Sequence, residues 1–143
     1  MWIEQIQLLE PAATFLPAAT DEQIATLEAF LGVALPDDLK NLLFESNGVQ
    51  GRKGNSLIWS TEESLQRNQE MRTPEMRANY LSFEHLLFFA DAGNGDQFAY
   101  GIIQGEVKFQ KIYAWKHEDD SRICFASSLE AFLTGWLSGK RSI

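Results

Sequence analysis

The stretch LLFFADAGNGDQFAY, residues 86–100, decides the fold of this chain. Its first five residues form a continuous apolar run, which is typical of a buried strand. Gly93-Asn94-Gly95-Asp96 is a strong turn signal, and residues 97–102 resume as a strand. Because a connection this short can join only antiparallel neighbours, the stretch predicts a hairpin of an antiparallel sheet.

The residues after this hairpin extend the sheet. Residues 107–115 alternate apolar and polar side chains for much of their length, as a half-exposed strand does. Residues 116–122 are predicted to form a charged loop, and residues 123–126 a last short strand. Earlier in the chain, residues 57–59 are also predicted to form a short strand.

Helices are predicted on either side of the sheet in sequence. Three capping boxes, at residues 20–23, 60–63 and 127–130, mark helix starts. The helix after the first box has an apolar face and ends at a glycine, and a further helix begins near Pro36. These apolar faces comprise Ile24, Leu27, Phe30 and Leu31 in the first helix, Leu39, Leu42 and Leu43 in the next, and Leu129, Phe132, Leu133, Trp136 and Leu137 in the closing helix.

Two segments near the N-terminus and one in the middle of the chain complete the prediction. A short helix precedes Pro11, and residues 11–19 are predicted to form an extended connector. Residues 73–76 fit either another helical turn or a loop. We therefore predict an α+β fold with a single, mostly antiparallel sheet and flanking helices, all within one domain over residues 1–143.

The composition limits the classes of function. The chain has 143 residues, the length of one ordinary domain, and needs no disulfide or metal to hold a core. Its formal net charge of −8 disfavours binding to nucleic acids or anionic membranes. This charge serves either solubility or steering towards a basic partner. A lone cysteine, Cys124, and the lack of a signal-peptide pattern or long apolar run predict a cytoplasmic protein.

Several motifs of the chain resemble one family when taken in order. They are LGVALPDDL at residues 31–39, Asn47-Gly48, FFADAGNGDQFAY at residues 88–100, YAWKHE at residues 113–118 and SSLEAFL at residues 127–133. This series is similar to the SUKH superfamily, and the resemblance covers about residues 20–138. Residues 11–19 and 61–79 lie outside the clearest similarity.

The resemblance implies a mixed α+β fold with a single sheet and flanking helices. Members of the superfamily include bacterial immunity proteins that neutralise toxins, often nucleases or deaminases, and fungal regulators of cell-wall synthesis. No catalytic residue set belongs to the family, and the identity of the partner does not carry over from one member to another.

The residues themselves predict no reactive centre. The Gly93–Asp96 turn lacks a phosphate-loop pattern, and Asp91 and Asp96 are expected to cap their own turn. His117-Glu118-Asp119-Asp120 lacks the spacing of a metal site, and the other histidine, His85, is distant in sequence. Cys124 is predicted to be a buried structural residue. We therefore expect no enzyme activity, no cofactor and no metal.

The tryptophans allow more than one interpretation. Trp136 is predicted to lie in the core. Trp59 and Trp115 end predicted strands beside polar residues, a position that fits both core packing and partial exposure to a partner. Trp2 fits equally well as an exposed anchor and as a packing residue of the first helix.

The sequence therefore predicts a protein-binding module, with a basic toxin domain as the sharper expectation for its partner. Two alternatives stay open: a regulatory or scaffold domain, and a small ligand-binding domain or enzyme that uses Asp91, Asp96 and His117. The residues predicted to contact a partner lie in the turns and on the exposed face of the sheet: Asp91, Asn94, Asp96, Trp115, His117, Glu118 and Asp119.

Overall fold

The computed structural model describes residues 1–140, so the last three residues of the predicted domain lie outside the described part. Helices and strands follow the predicted order of an α+β protein. The elements are α1 (Trp2–Leu9), β1 (Thr14–Phe15), α2 (Asp21–Leu31), α3 (Asp37–Glu45), β2 (Val49–Gln50), β3 (Ser56–Ile58), α4 (Thr61–Met71), α5 (Pro74–Asn79), β4 (Leu86–Asp91), β5 (Gln97–Gly101), β6 (Ile112–Lys116), β7 (Ser121–Ala126) and α6 (Leu129–Leu137).

The strands form two antiparallel sheets, so the prediction of a single sheet is corrected. One sheet has the order β1-β2-β3 and the other β4-β5-β6-β7. The predicted connector at residues 11–19 contributes β1, in which Thr14 pairs with Gln50. At the junction of the sheets, the backbone amide of Trp59 donates a 2.9 Å hydrogen bond to the carbonyl of Phe89. In the first sheet, β3 agrees within one residue with the strand predicted at residues 57–59, whereas β1 and β2 are additions to the predicted strands.

The four-stranded sheet is covered on both faces. One face contributes Phe89, Phe98 and Phe125 to the main core, where they pack against Phe132 of α6. The opposite face packs into a second apolar cluster of Trp59, Met71, Phe83, Leu86, Phe88, Ala99 and Trp115. Because side chains alternate between the faces of a strand, the apolar run of β4 serves both cores. The sheet thus lacks the broad exposed face that the sequence suggested.

Local capping positions the helices much as predicted. The Thr20 hydroxyl accepts from the amide of Gln23, and the Gln23 side chain accepts from the amide of Thr20, which completes a capping box. The Ser60 hydroxyl caps α4 by accepting from the amide of Glu63, but the Glu63 carboxylate accepts from the Ser56 hydroxyl, so only one of the two bonds of the predicted capping box is seen. The closing helix begins one residue later than predicted, because Ser128 rather than Ser127 caps it.

Three predictions made from local sequence patterns are wrong: one concerns a strand, and two concern the burial of a side chain. Residues 107–111 are not a strand, and Phe109 is 59% exposed in the connection between β5 and β6. Phe30 points out of the predicted helix face and is exposed. Cys124, predicted to be buried, is exposed on β7, the outermost strand of its sheet.

Candidate functional site

Two turns lie together at one end of the four-stranded sheet. In the antiparallel meander, Gln97 pairs with both Asp91 and Trp115, which brings the β4–β5 turn beside the β6–β7 turn. We call this region, residues 91–97 and 115–120, the hairpin end. It contains all seven of the predicted contact residues: Asp91, Asn94, Asp96, Trp115, His117, Glu118 and Asp119.

The centre of the hairpin end is a carboxylate–imidazole pair. The Asp96 carboxylate lies 2.6 Å from Nδ1 of His117 and also accepts a 3.0 Å hydrogen bond from the His117 backbone amide. Burial of the Asp96 carboxyl raises its pKa, but these two hydrogen bonds more than offset burial, so the pKa is lowered. Asp96 is only 4% exposed, which corrects its predicted role as a surface contact.

Gly95 leaves the space that the imidazole of His117 occupies beside Asp96. Gly95 has a φ of +102°, and a Cβ built on it would lie 2.9 Å from Nδ1 of His117. A side chain at position 95 would therefore collide with the imidazole, besides straining the backbone. The Gly-Asn-Gly turn predicted from sequence is thus needed both for its backbone conformation and for the space it leaves.

Asp91 belongs to a different set of contacts. Its carboxylate accepts a hydrogen bond from Nε1 of Trp59 at 2.9 Å and from the amide of Gly93 at 2.9 Å. Arg67 of α4 lies 3.5 Å from the same carboxylate, and its guanidinium stacks over the Trp59 ring. The bond to Gly93 is the predicted turn cap, whereas the other two contacts fix the turn to Trp59, which lies between β3 and α4, and to Arg67 of α4.

Trp115 is buried and supports the second turn, so of the two interpretations left open by the sequence the structure shows core packing, and the ring is not on the exposed face where a partner contact was predicted. It is 3% exposed and packs edge-on against Tyr80 and Phe83. Its Nε1 donates a 2.7 Å hydrogen bond to Asp120, which also accepts from Arg122 at 3.0 Å. Burial raises the pKa of Asp120, but the hydrogen bonds from Leu81, Trp115 and Arg122, together with the charge of Arg122, lower it by more. The pKa of Asp120 is therefore below its ordinary value.

Three of the predicted contact residues remain open to solvent: Asn94, Glu118 and Asp119. The Asn94 side chain accepts from the amide of Asp96, and the Asp119 side chain accepts from the amide of Ser121. The pKa of Asp119 is lowered, chiefly by its hydrogen bonds with Ser121. His117 is intermediate, with 39% of its side chain exposed. The hairpin end thus presents carboxylates on turns that are fixed from beneath.

Sequence reasoning missed the residues that fix these turns. Tyr80 donates a hydrogen bond from its hydroxyl to the carbonyl of His117, and Arg122 donates to the carbonyls of Leu81 and Ser82. These partners are about 40 residues apart in sequence. No local pattern in the sequence signals such contacts. The sequence shows only that Asp120 and Arg122, two residues apart, carry opposite charges.

The chemistry open to the hairpin end is limited by these contacts. Asp96 orients the imidazole of His117, an arrangement that also serves general bases in enzymes. Asp91, the third residue of the predicted alternative site, is held by Trp59 and Arg67 rather than by His117. Within residues 1–140, no group of three or more His, Cys, Asp or Glu side chains could hold a metal ion.

No helix among the described residues has the length and apolar character needed to cross a membrane.

Comparison with protein families gives a match that covers most of the chain. No curated protein matches the chain. The family SUKH_6, described as SMI1-KNR4 cell-wall, matches residues 21–133, a range that includes the whole hairpin end and leaves α1 and β1 outside. Since this range is about four fifths of the chain and agrees with the predicted similarity at residues 20–138, the chain belongs to the SUKH family.

Proposed function

We propose that the chain is a protein-binding module and, more specifically, an immunity protein that binds a basic bacterial toxin domain, such as a nuclease, and neutralises it. The observation that carries this proposal is the hairpin end, where Glu118 and Asp119 are exposed on a turn fixed by the buried Trp115–Asp120 contact. A surface that is already rigid loses little conformational entropy on binding. Membership of the SUKH family and the net charge of −8 support the same proposal.

Electrostatics favours a basic partner. Nuclease clefts are positively charged because they bind phosphates, and an acidic surface complements such a cleft and speeds association. The contacts would be made by Asn94, Glu118 and Asp119, with Asp91 and His117 at the margin. Asp96 and Trp115 would act from beneath, by fixing the turns.

A survival assay tests the immunity role. A toxin domain encoded beside the gene of this chain is expressed in cells with and without the protein, and the protein is expected to restore growth. Restored growth with wild type but weakened rescue with Glu118→Lys would support the hairpin end as the contact surface. Glu106→Lys is the matched control, since Glu106 is exposed in the connection at the opposite end of the meander. Killing that persists in the presence of the folded wild-type protein would contradict the immunity role.

Purified components test the charge argument separately. Binding to the toxin domain is expected to weaken as salt rises, because the Debye length falls from about 10 Å at 0.1 M to about 3 Å at 1 M ionic strength. Binding that does not change with salt would remove the electrostatic part of the proposal.

The second candidate is a regulatory or scaffold module, and the cell-wall description of the matching family favours it. It predicts a cellular partner other than a toxin and needs no toxin gene nearby. Deletion of the gene should then change cell-wall synthesis in cells that carry no cognate toxin.

The third candidate, a ligand-binding domain or enzyme, is favoured only by the Asp96–His117 pair. It predicts that His117→Ala abolishes turnover or binding of a small molecule and leaves protein complexes intact. Loss of a protein complex in that variant, without any change in small-molecule binding, would count against it.

A further inference from the structure

A second surface, formed by helices, has the chemistry of a docking groove. α1 lies against α3 and α6, and the groove between them has a volume of about 670 Å³. Its lining includes Trp2 and Leu8 of α1, and Leu8 is 84% exposed. A leucine this exposed beside a half-buried tryptophan forms an apolar wall without a described partner.

Carboxylates surround this apolar wall, and the groove has no lysine or arginine in its lining. Glu4, Asp38 and Glu130 come from three different helices, and within residues 1–140 none of them forms an ion pair. Glu45 also lines the groove, but its carboxylate is engaged by the backbone amides of Trp2 and Ile3 and by the N-terminal ammonium group of Met1, which lines the groove as well. Three acidic groups are therefore available to an incoming cation.

We infer that this groove, defined by α1, α3 and α6, binds a basic amphipathic helix of a partner protein. Apolar side chains of that helix would cover Leu8 and Trp2, while its lysines or arginines would reach Glu4, Asp38 and Glu130. Helical walls favour a helical ligand, because helices pack by fitting the ridges of one surface into the grooves of another. The inference rests on the proposed protein-binding function and adds a surface and a partner chemistry to it.

The position of α1 strengthens the case. It precedes residues 21–133, which match the family, yet it is fixed to the shared helix α3 by Glu45. α1, which lies outside the matched range, supplies the apolar wall of the groove. It also gives a role to Trp2, for which the sequence left two interpretations open: Trp2 packs partly on the core and partly lines the groove.

The direct test uses a synthetic helical peptide with leucines on one face and lysines beside them. Its binding is measured by fluorescence anisotropy against a peptide of the same composition with the leucines dispersed. The protein is expected to bind the amphipathic peptide at least tenfold more tightly. Equal binding of the two peptides would overturn the inference, since charge alone would then explain the interaction.

Two groove variants and a matched control assign the site. The triple variant Glu4→Gln, Asp38→Asn, Glu130→Gln is expected to weaken binding about tenfold or more, since exposed ion pairs each contribute modestly. Leu8→Ser, a change at a solvent-exposed position that leaves the fold intact, is also expected to weaken binding. The control triple, Glu22→Gln, Glu62→Gln, Glu75→Gln, makes the same change in net charge at exposed positions outside both the groove and the hairpin end.

Unchanged affinity in both groove variants, or an equal loss in the control triple, would overturn the inference. A separate comparison keeps it distinct from the proposed function. If the native partner is captured equally by wild type and by the groove triple, the groove is not the docking surface, but protein binding itself stands.

Discussion

Replacement of Asp96 with alanine tests the view that this residue fixes the hairpin end from within. The carboxylate accepts two hydrogen bonds from His117, one from the backbone amide at 3.0 Å and one involving the ring at 2.6 Å. Hydrogen bonds to a charged group contribute about 1.5–3 kcal/mol each. Because the half-exposed ring can turn to water in the variant, the two contributions are not fully lost.

We therefore expect Asp96→Ala to lower the free energy of unfolding by about 3 kcal/mol at neutral pH. For a chain of this length, that loss corresponds to a fall in Tm of about 10 °C. Urea unfolding and calorimetry measure both quantities. Glu118→Ala, at an exposed position of the neighbouring turn, is the control and is expected to stay within about 0.5 kcal/mol of wild type.

The difference between Asp96→Ala and wild type should also depend on pH. The folded-state pKa of Asp96 is lowered from its ordinary value of 3.8, so its stabilisation is fully present above that value. This stabilisation is lost as the pH falls through the folded-state pKa of Asp96, because the carboxyl group of the wild-type protein is then protonated and no longer charged. A stability loss below about 0.5 kcal/mol, or one that stays constant down to the acid-unfolding range, would refute this account.

Three further changes probe separate parts of the molecule. Tyr100→Phe is expected to raise the free energy of unfolding by about 1 kcal/mol in urea titrations, since the fully buried hydroxyl has no hydrogen-bond partner among the described residues; a loss of similar size would contradict this. Gly95→Ala should cost about 2 kcal/mol or more and shift the NMR signals of His117, because the new methyl group meets the imidazole; unchanged signals would show that the turn adapts. Glu45→Ala should cost about 1–2 kcal/mol and speed amide exchange in α1, because it leaves that helix without its cap; exchange as slow as in wild type would mean that core packing alone holds α1.

Local chemistry explains which parts of the fold the sequence could predict. The helix starts at Thr20 and Ser60 follow from side chains that bond to amides three residues later, and the turn at residues 93–96 follows from its glycines. Such contacts depend on neighbouring residues alone. The first part of the strand predicted at residues 107–115 was wrong, because the alternation of residues 107–111 also suits an exposed connection when no strand lies alongside.

The number of sheets could not be predicted for a related reason. β1 and β2 are two residues long, and they are separated by more than thirty residues of chain. A pair this short carries no periodic signal, and its partner is chosen by the packing of α2 and α3 between them. The sequence therefore predicted the meander, whose strands follow one another directly, and β3, but missed β1 and β2, which complete the smaller sheet.

The candidate site shows the same limit in its charged residues. Asp96 and Asp119 both lie in turns rich in polar residues, and the sequence offered both as contacts for a partner. The Asp119 carboxylate bonds to Ser121, two residues away, and stays exposed, whereas Asp96 bonds to His117, 21 residues away in the β6–β7 turn, and is buried. A carboxylate in a turn is thus available to a partner only when it hydrogen-bonds to neighbouring residues alone. Whether it does so depends on which part of the chain lies opposite the turn. Glu4, Asp38 and Glu130, on three separate helices, form no ion pair among the described residues, so the helical groove that they line combines available charge with the exposed apolar side chain of Leu8.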